Sequence, residues 1–305
     1  MAMRAVYTVV TGGYEELSDN HVPSPGVDHI CLTDDPELTS EFWRIVLVER
    51  EFPSDPSRSQ RLLKIVGHPA LDSYDETVYV DNSVTLLSDV NPLFDLWLAS
   101  SDMTVALHSF RDTVTDEFAA VLTIGYDDHQ RVVEQWDHYW ASVPDSLTAH
   151  VLWTGIIARR RSEDVTRLCR HWADHVLRYS RRDQLSLRAA EALTGVSVGI
   201  AHLDNNSSEW HQWPSERRRK THMESGLSAA RVPDLVAVSQ ARMAQIAAER
   251  ESAEQRAAAN ALKSKLVVTT AQVHELESQL AVLAVSRSWK VTAPIRRLTV
   301  AMRRR

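Results

Sequence analysis

Apolar residues in the first third of the chain form short runs separated by turn-rich segments, a pattern that predicts β-strands. A helical pattern at Ser57 to Val66 lies among them. Strands that alternate with helices favour an α/β sheet. The predicted strands are Ala5 to Val10, Asp28 to Leu32, Trp43 to Val48, Thr77 to Val80 and Met103 to Leu107.

Between about residues 112 and 193 the apolar residues recur every three or four positions, which predicts amphipathic helices packed on the sheet. The segments concerned are VVEQWDHYWASV, DVTRLCRHWADHVL and DQLSLRAAEAL. Residues 205–234 are polar and turn-rich. We interpret them as a loop or linker that follows a core domain of residues 1–204.

Residues 235–285 contain no glycine or proline, and their later part has a seven-residue apolar repeat. Four heptads predict a coiled-coil helix and a homo-oligomer, and the alternative is one long helix folded back on the body. The two core positions hold Ala259, Leu266, Val273 and Leu280, and Leu262, Thr269, Leu276 and Leu283.

Composition and charge narrow the possible classes of protein. The 305 residues carry a net charge of -7, yet residues 286–305 hold seven basic side chains and no acidic one. An acidic body argues against nucleic-acid binding, whereas a basic tail with Ile295, Leu298 and Met302 on one side suits an anionic membrane surface. Docking of this tail on a partner protein or on the body is the alternative.

The start of the chain lacks the features of a signal peptide, and no run of about 18 apolar residues occurs. We therefore expect a cytoplasmic protein, peripheral on the inner face of the plasma membrane if the tail binds lipid. Cys31 and Cys169 lie in apolar settings and are expected to be buried thiols.

Charged side chains cluster in two places that suit ligand chemistry. Asp81 and Ser83 follow an apolar strand, where a carboxylate can hold a divalent ion or cap a turn. Upstream, Arg61, Lys64 and His68 would share one side of a helix, which suits a diphosphate or a solvated surface.

A third candidate is RYSRRDQLSLRAA, residues 178–190, at an expected helix start. Ser180 or Asp183 as a helix cap would explain the acidic residue but not Gln184.

Taken together, seven short segments resemble the glycosyltransferase-like family, formerly a domain of unknown function, that includes plant mucilage-related and turgor-regulation-defect proteins and bacterial capsule-locus proteins. The resemblance covers about residues 4 to 200 and implies a GT-A-like, Rossmann-like nucleotide-sugar domain. The segments are YTVVTGGYEEL, ICLTDD, DPSRSQRLLKIVGHP, VYVDNSVTLL, HSFRDTVTDE, QWDHYWAS and RRDQLS.

The resemblance implies roles for residues at the sheet edge. The base and ribose would be held by Tyr7, Thr8, Gly12 and Asp34. Asp81 and Ser83 would hold Mn²⁺ or Mg²⁺ and the diphosphate, although Ser83 departs from the acidic residue common there. Arg61 and Lys64 would share the neutralisation of the leaving diphosphate.

Asp183 and Gln184 resemble the Asp-Gln pair that several retaining transferases place beside the anomeric carbon. Asp183 would bind sugar hydroxyls, Gln184 would stabilise charge developing on the ring, and Arg182 would hold Asp183 ionised. If the reaction inverts, Asp183 is instead the general base for the acceptor.

Other residues of the resemblance bear on the acceptor and the metal. His108 and Arg111, near Glu117, are expected to contact the acceptor or a phosphate, unless they form a structural ion pair. His222 would supply a late metal ligand. A solvent-facing Trp210 or Trp213 would suit a sugar ring.

The end of the chain, VSRSWKVTAPIRRL, resembles the closing segment of bacterial polysaccharide glycosyltransferases. The expected function is transfer of a sugar from a nucleotide-sugar donor to a glycan acceptor in surface or capsular polysaccharide synthesis. A scaffold with a decayed site is the alternative, because of Ser83. A hydrolase is a weaker one, since the sequence has no Ser-His-Asp elbow or HExxH motif.

Overall fold

The computed structural model describes residues 2–13, 15–214 and 235–285, together with Thr292 and Pro294. The chain divides into two compact units, Met1–Val238 and Ser239–Arg305. The first unit contains an α/β body, and the described part of the second is almost entirely one helix.

The body contains nine described strands. They are β1 (Arg4–Val10), β2 (Val27–Thr33), β3 (Arg44–Leu47), β4 (Glu76–Val80), β5 (Thr85–Leu86), β6 (Met103–Leu107), β7 (Leu152–Arg160), β8 (Gly199–Ala201) and β9 (His211–Gln212). Seven of them form one sheet in the order β3-β2-β1-β4-β7-β6-β8, and β5 pairs with β9. The large sheet is parallel apart from β7, which runs antiparallel to β4 and β6.

Helices cover both faces of this sheet, as expected for an α/β protein. They are α1 (Pro56–Ile65), α2 (Asn91–Trp97), α3 (Val114–Ile124), α4 (His129–Ser142), α5 (Pro144–Thr148), α6 (Glu163–Arg178) and α7 (Leu187–Thr194). Along β1, Tyr7 and Val9 join the apolar cluster that contains Trp172 of α6, whereas Val6 and Val10 join the cluster of Phe94 on α2. Alternate side chains therefore fill opposite layers.

Strand β7 corrects the prediction that residues 112–193 are helical throughout. Its nine residues, LWTGIIARR, lie in the interior of the sheet between β4 and β6. A strand buried on both faces is a continuous apolar run without alternation, so its periodicity does not distinguish it from a buried helix.

The body also extends beyond the predicted limit at residue 204. Strand β9 pairs with β5, and Trp210 and Trp213 pack against an apolar core cluster. Both tryptophans are half-buried. Residues 205–214 therefore belong to the body, while residues 215–234 lie outside the described part.

The helix predicted at 235–285 is present as α8 (Leu235–Val285), with 51 residues. Its apolar side chains are exposed in the single chain: Leu262 by 67%, Leu276 by 58% and Leu280 by 62%. Pairing of this helix in a coiled coil stays a prediction. Of the described helices, none is long and apolar enough to cross a membrane.

Helices α4 and α6 meet through an aromatic cluster. His175 on α6 stacks on Tyr139 of α4, with ring centroids 5.4 Å apart, and its Nδ1 lies 2.7 Å from the Tyr139 hydroxyl. Burial, together with the charges of His138 and His171, lowers the pKa of His175 from 6.5 to about 4. The neutral imidazole is therefore the form that the fold prefers.

We predict that this histidine makes the body sensitive to mild acid. Because the pKa of His175 is lower in the folded state, the unfolded state takes up its proton first, and the free energy of unfolding falls as pH drops from 6.5 towards 4. His175→Gln keeps a hydrogen-bonding side chain that does not titrate, so its urea midpoint should fall less over this range. His274→Gln, at a side chain 90% exposed on α8, is the control. Equal pH slopes for the wild type and His175→Gln would contradict this role.

Candidate active site

The carboxyl ends of the parallel strands β1, β2 and β4 deliver polar residues to one edge of the sheet, the usual ligand edge of open α/β folds. Gly12 follows β1, Asp34 follows β2 and Asp81 follows β4. Helix α1 and the turn at residues 183–185 bring further charged groups to this edge.

A buried ammonium group lies at the centre of these residues. Lys64 Nζ on α1 is 2.7 Å from Asp183 Oδ2, 3.3 Å from Asp81 Oδ1 and 3.2 Å from Thr154 Oγ1. The Lys64 side chain is only 1% exposed. A lysine so deeply buried requires anionic partners, and the two aspartates supply them.

The backbone of Lys64 is held from behind by two residues of the sheet. The Tyr7 hydroxyl donates a 2.7 Å hydrogen bond to the Lys64 carbonyl, and Arg159 Nη2 donates one of 2.8 Å. Burial raises the pKa of Tyr7 to about 12, so its hydroxyl stays protonated and able to donate. Tyr7 thus lies under the site and holds the end of α1 in place.

An irregularity in β7 brings Thr154 into the site. Val105 of β6 pairs with Ile157, but the next residue pairs with Trp153, so the strand bulges between these positions. The Thr154 hydroxyl donates to Asp183 Oδ2 at 3.0 Å. Gly155 makes the bulge possible, because a Cβ there would lie 2.3 Å from the Trp153 ring. Bulges often redirect side chains in this way near functional sites.

The N-cap residue of the short helical turn Asp183–Leu185 is Arg182, which makes no side-chain capping hydrogen bond, and the first residue of the turn is Asp183. Its carboxylate instead faces Lys64, Thr154 and, at 3.7 Å, Arg61 Nε. Burial alone would raise the pKa of Asp183, but the charges of Lys64 and Arg61 outweigh it and hold this pKa well below its usual range. Asp183 is therefore a fixed negative charge.

Asp81 is the more accessible of the two aspartates, with 28% of its side chain exposed. Its Oδ1 accepts a 2.6 Å hydrogen bond from the Tyr79 hydroxyl in addition to the contact with Lys64. Ser83 is engaged differently, since its hydroxyl accepts a 3.1 Å hydrogen bond from the Trp213 indole. Asp81 and Ser83, the two residues predicted to bind a metal, therefore contact different groups of the protein: Tyr79 and Lys64 for Asp81, and Trp213 for Ser83.

A second charged cluster surrounds Glu117, which is fully buried. Its carboxylate lies 2.6 Å from Arg182 Nε and 2.9 Å from Arg111 Nη1. Arg182 Nη2 also donates to Gln184 Oε1 at 2.5 Å. Arg182 thus positions Gln184. Its charge also contributes, after those of Lys64 and Arg61, to keeping Asp183 ionised, as expected from the sequence.

His108 adjoins this cluster, with its Nε2 2.9 Å from Arg111 Nη1. Burial and then the charges of Arg111 and Arg182 lower the pKa of His108 to about 4. The ring is therefore neutral at neutral pH. Of the two residues predicted to contact the acceptor or a phosphate, Arg111 therefore carries the positive charge and His108 does not.

The site is built in two layers. Lys64, Asp183 and Glu117 form the buried layer, each with a side chain no more than 2% exposed. A partly exposed layer lies in contact with it and offers charge to a ligand. It consists of Arg61, Asp81, Arg111 and Arg182, with side chains 22% to 28% exposed.

The residues predicted to hold the base and ribose lie at the edge of this site or beneath it. Asp34 accepts a 3.0 Å hydrogen bond from the Gly12 amide and pairs with Arg50 at 2.7 Å. The Thr8 side chain is buried, and its hydroxyl has no hydrogen-bond partner in the described part of the chain. Of this set, Gly12 is exposed and Asp34 is partly exposed, whereas Tyr7 and Thr8 are buried.

Two histidines, His222 and His68, are also predicted to belong to the site. His222 lies outside the described residues, so its role as a metal ligand stays a prediction. His68 is not part of the cluster with Lys64, because it caps the short turn Pro69–Leu71 through a 3.2 Å hydrogen bond to the Ala70 amide.

Thr154 contacts both Lys64 and Asp183 but is absent from the site residues predicted from the sequence. Its signal in the sequence is a polar residue within the apolar run VLWTGII, which lies inside the stretch predicted to be helical.

Comparison with known proteins gives a family for this arrangement. The family model described as TOD1/MUCI70, glycosyltransferase-like domain matches residues 29–199. The chain belongs to this family. The match extends from within β2 to the start of β8, so the TOD1/MUCI70 region contains Lys64, Asp81, Thr154 and Asp183 but neither β1 nor α8. A search of curated proteins gave no significant match.

We predict that the stability of the TOD1/MUCI70 domain depends strongly on Asp183. Asp183→Asn leaves the Lys64 ammonium buried without its nearest counter-charge, which should lower the free energy of unfolding by about 3–5 kcal/mol. Urea denaturation followed by tryptophan fluorescence measures this loss.

A matched control for this variant is Asp72→Asn. It breaks the pair with Arg161, whose two side chains are 69% and 55% exposed, and should cost less than about 1 kcal/mol. Equal losses in the two variants would show that the Lys64–Asp183 pair contributes no more than a surface pair.

Proposed function

We propose that this protein is a glycosyltransferase that moves a sugar from a nucleotide-sugar donor to a glycan acceptor. The observation that carries the proposal is the convergence of Asp81, Asp183, Arg61 and Arg182 at the carboxyl edge of a mostly parallel sheet, in a glycosyltransferase-like domain. The sheet order and this edge also support a GT-A-like donor site.

The arginines of the partly exposed layer suit the leaving diphosphate. As the bond between the sugar and the diphosphate breaks, negative charge accumulates on the phosphate oxygens. Guanidinium groups match phosphate oxygens with two parallel hydrogen bonds, and Arg61 and Arg182 keep about a quarter of their side chains exposed. We assign the diphosphate to these two arginines.

Asp183 is better suited to electrostatic stabilisation than to proton transfer. A general base works best when its pKa lies near the operating pH, whereas the ion pair with Lys64 holds the pKa of Asp183 far lower. Although Lys64 and Arg61 compensate part of it, the permanent negative charge of Asp183 would instead favour the positive charge that develops on the sugar ring in the transition state. This argues against the general-base alternative for Asp183, and it adds a role to the binding of sugar hydroxyls expected from the sequence.

The coiled coil and the basic tail extend the proposal beyond the catalytic domain. We propose that α8 makes the protein a homo-oligomer and that the seven basic residues of 286–305 hold it on an anionic membrane surface during surface-polysaccharide synthesis. Each such residue near an anionic membrane contributes about 1 kcal/mol, and several tails in one oligomer add their effects. This tail lies outside the described residues apart from Thr292 and Pro294.

The function is tested by incubating the full chain with a panel of nucleotide sugars and measuring release of nucleoside diphosphate, with and without Mn²⁺. Transferases slowly hydrolyse their donor when no acceptor is present, so one donor should be consumed. No release from any donor would favour the alternative of a scaffold with a decayed site.

With the donor identified, we predict that Gln184→Ala lowers turnover by about 10²-fold while donor affinity changes little, because the amide acts on charge that appears only in the transition state. Gln184 is 4% exposed, so the melting temperature is measured beside the rate. Gln279→Ala, on the exposed face of α8, is the control. Unchanged turnover in folded Gln184→Ala would remove this residue from the mechanism.

We predict that Leu276→Glu combined with Leu280→Glu dissociates the oligomer, because both residues occupy core positions of the heptads and burying two carboxylates there is unfavourable. Analytical ultracentrifugation of the full chain should show a shift to the monomer. Ser278→Glu, outside the core positions, should leave the mass unchanged. A monomeric wild type would contradict the coiled coil.

A further inference from the structure

A protein cation lies where the sequence predicts a divalent metal ion. Lys64 Nζ is within 3.3 Å of one oxygen each of Asp81 and Asp183, so the two carboxylates share a single positive charge. The Lys64 side chain is 1% exposed, so its ammonium group is shielded from water. Its ammonium is thus a permanent part of the site in the folded protein.

We infer that Lys64 replaces a divalent metal as the counter-ion of Asp81 and Asp183, and that the site therefore binds a nucleoside diphosphate without a metal. The identity of the ligand rests on the proposed function. The replacement of the metal rests on the geometry of Lys64 alone.

The donor atoms around Asp81 do not fit a metal such as Mg²⁺ or Mn²⁺, which takes about six oxygen ligands in regular geometry. Asp81 Oδ1 already accepts from Tyr79 and faces Lys64, and the Ser83 hydroxyl accepts from Trp213. Among the described residues, no three Asp, Glu, His or Cys side chains converge, so a metal here would depend on Asp81 and Asp183, the two carboxylates that already pair with Lys64.

Charge repulsion from Lys64 also disfavours a metal ion at Asp81. An ion bound to Asp81 would lie close to the fixed ammonium of Lys64, and two positive charges at such a separation repel each other strongly when partly shielded from water. The carboxylates also have less negative charge to offer, because Lys64 and Arg61 already compensate Asp183.

Compensation of the aspartates has a consequence for an anionic ligand. Two uncompensated carboxylates would repel a diphosphate, whereas their pairing with Lys64 removes much of that repulsion. The charge that attracts the diphosphate then comes from Arg61 and Arg182, whose side chains are 24% and 28% exposed. A metal ion is then not needed between the two aspartates and the diphosphate.

The first test uses the wild-type full chain and isothermal titration calorimetry with UDP, GDP, ADP, CDP and dTDP, each in EDTA and in Mn²⁺. We expect one of these nucleotides to bind, with affinities in the two media that agree within about twofold. Binding that is about tenfold or more tighter in Mn²⁺ would overturn the inference and leave the proposed function standing. No binding in either medium would contradict both.

The second test asks whether Lys64 excludes a metal, and it needs no nucleotide. Lys64→Met removes the ammonium and leaves Asp81 and Asp183 as neighbouring carboxylates, so the folded variant should gain a Mn²⁺ site visible by electron paramagnetic resonance. Lys263→Met, at an exposed position of α8, should behave as wild type. A folded Lys64→Met that binds no more Mn²⁺ than wild type would overturn the inference, and the wild-type titration decides the question if this variant does not fold.

Discussion

The contact of the Lys64 ammonium with Asp183 and Asp81 is the interaction on which the rest of the site depends. A lysine that is 1% exposed is tolerated only because carboxylates and the Thr154 hydroxyl surround it. This requirement joins helix α1, strand β4, the bulge in β7 and the turn at Asp183–Leu185 at one edge of the sheet. Elements distant in sequence are thereby fixed relative to one another.

The buried layer determines what the partly exposed layer can do. Because Lys64 compensates Asp183 and Glu117 holds both Arg111 and Arg182, the exposed guanidinium groups are oriented before any ligand arrives. Preorganised charge of this kind stabilises a transition state without reorganisation during the reaction. It suits the sugar transfer that we propose, in which a diphosphate departs and a positive charge develops on a sugar.

Much of this arrangement could be predicted from the sequence, because short apolar runs and three-residue spacing report local structure well. The five predicted strands, helix α1 and the 235–285 helix are all present. Strand β7 could not be recognised, since its run is apolar on both faces, and Thr154 was missed with it. The spacing of Arg61 and Lys64 showed a shared helix face, but not that Lys64 points inward, because burial depends on Asp81 and Asp183 meeting it in three dimensions.

The most direct measurement of the central claim is ¹⁵N nuclear magnetic resonance of the lysine side chains at neutral pH. The chain has five lysines, of which Lys64 alone lies in the described body, so its signal can be assigned by comparison with Lys64→Arg. The account predicts one ammonium whose protons exchange slowly with water and couple to carboxylate carbons across hydrogen bonds. Five ammonium groups that all exchange as rapidly as exposed lysines would contradict it.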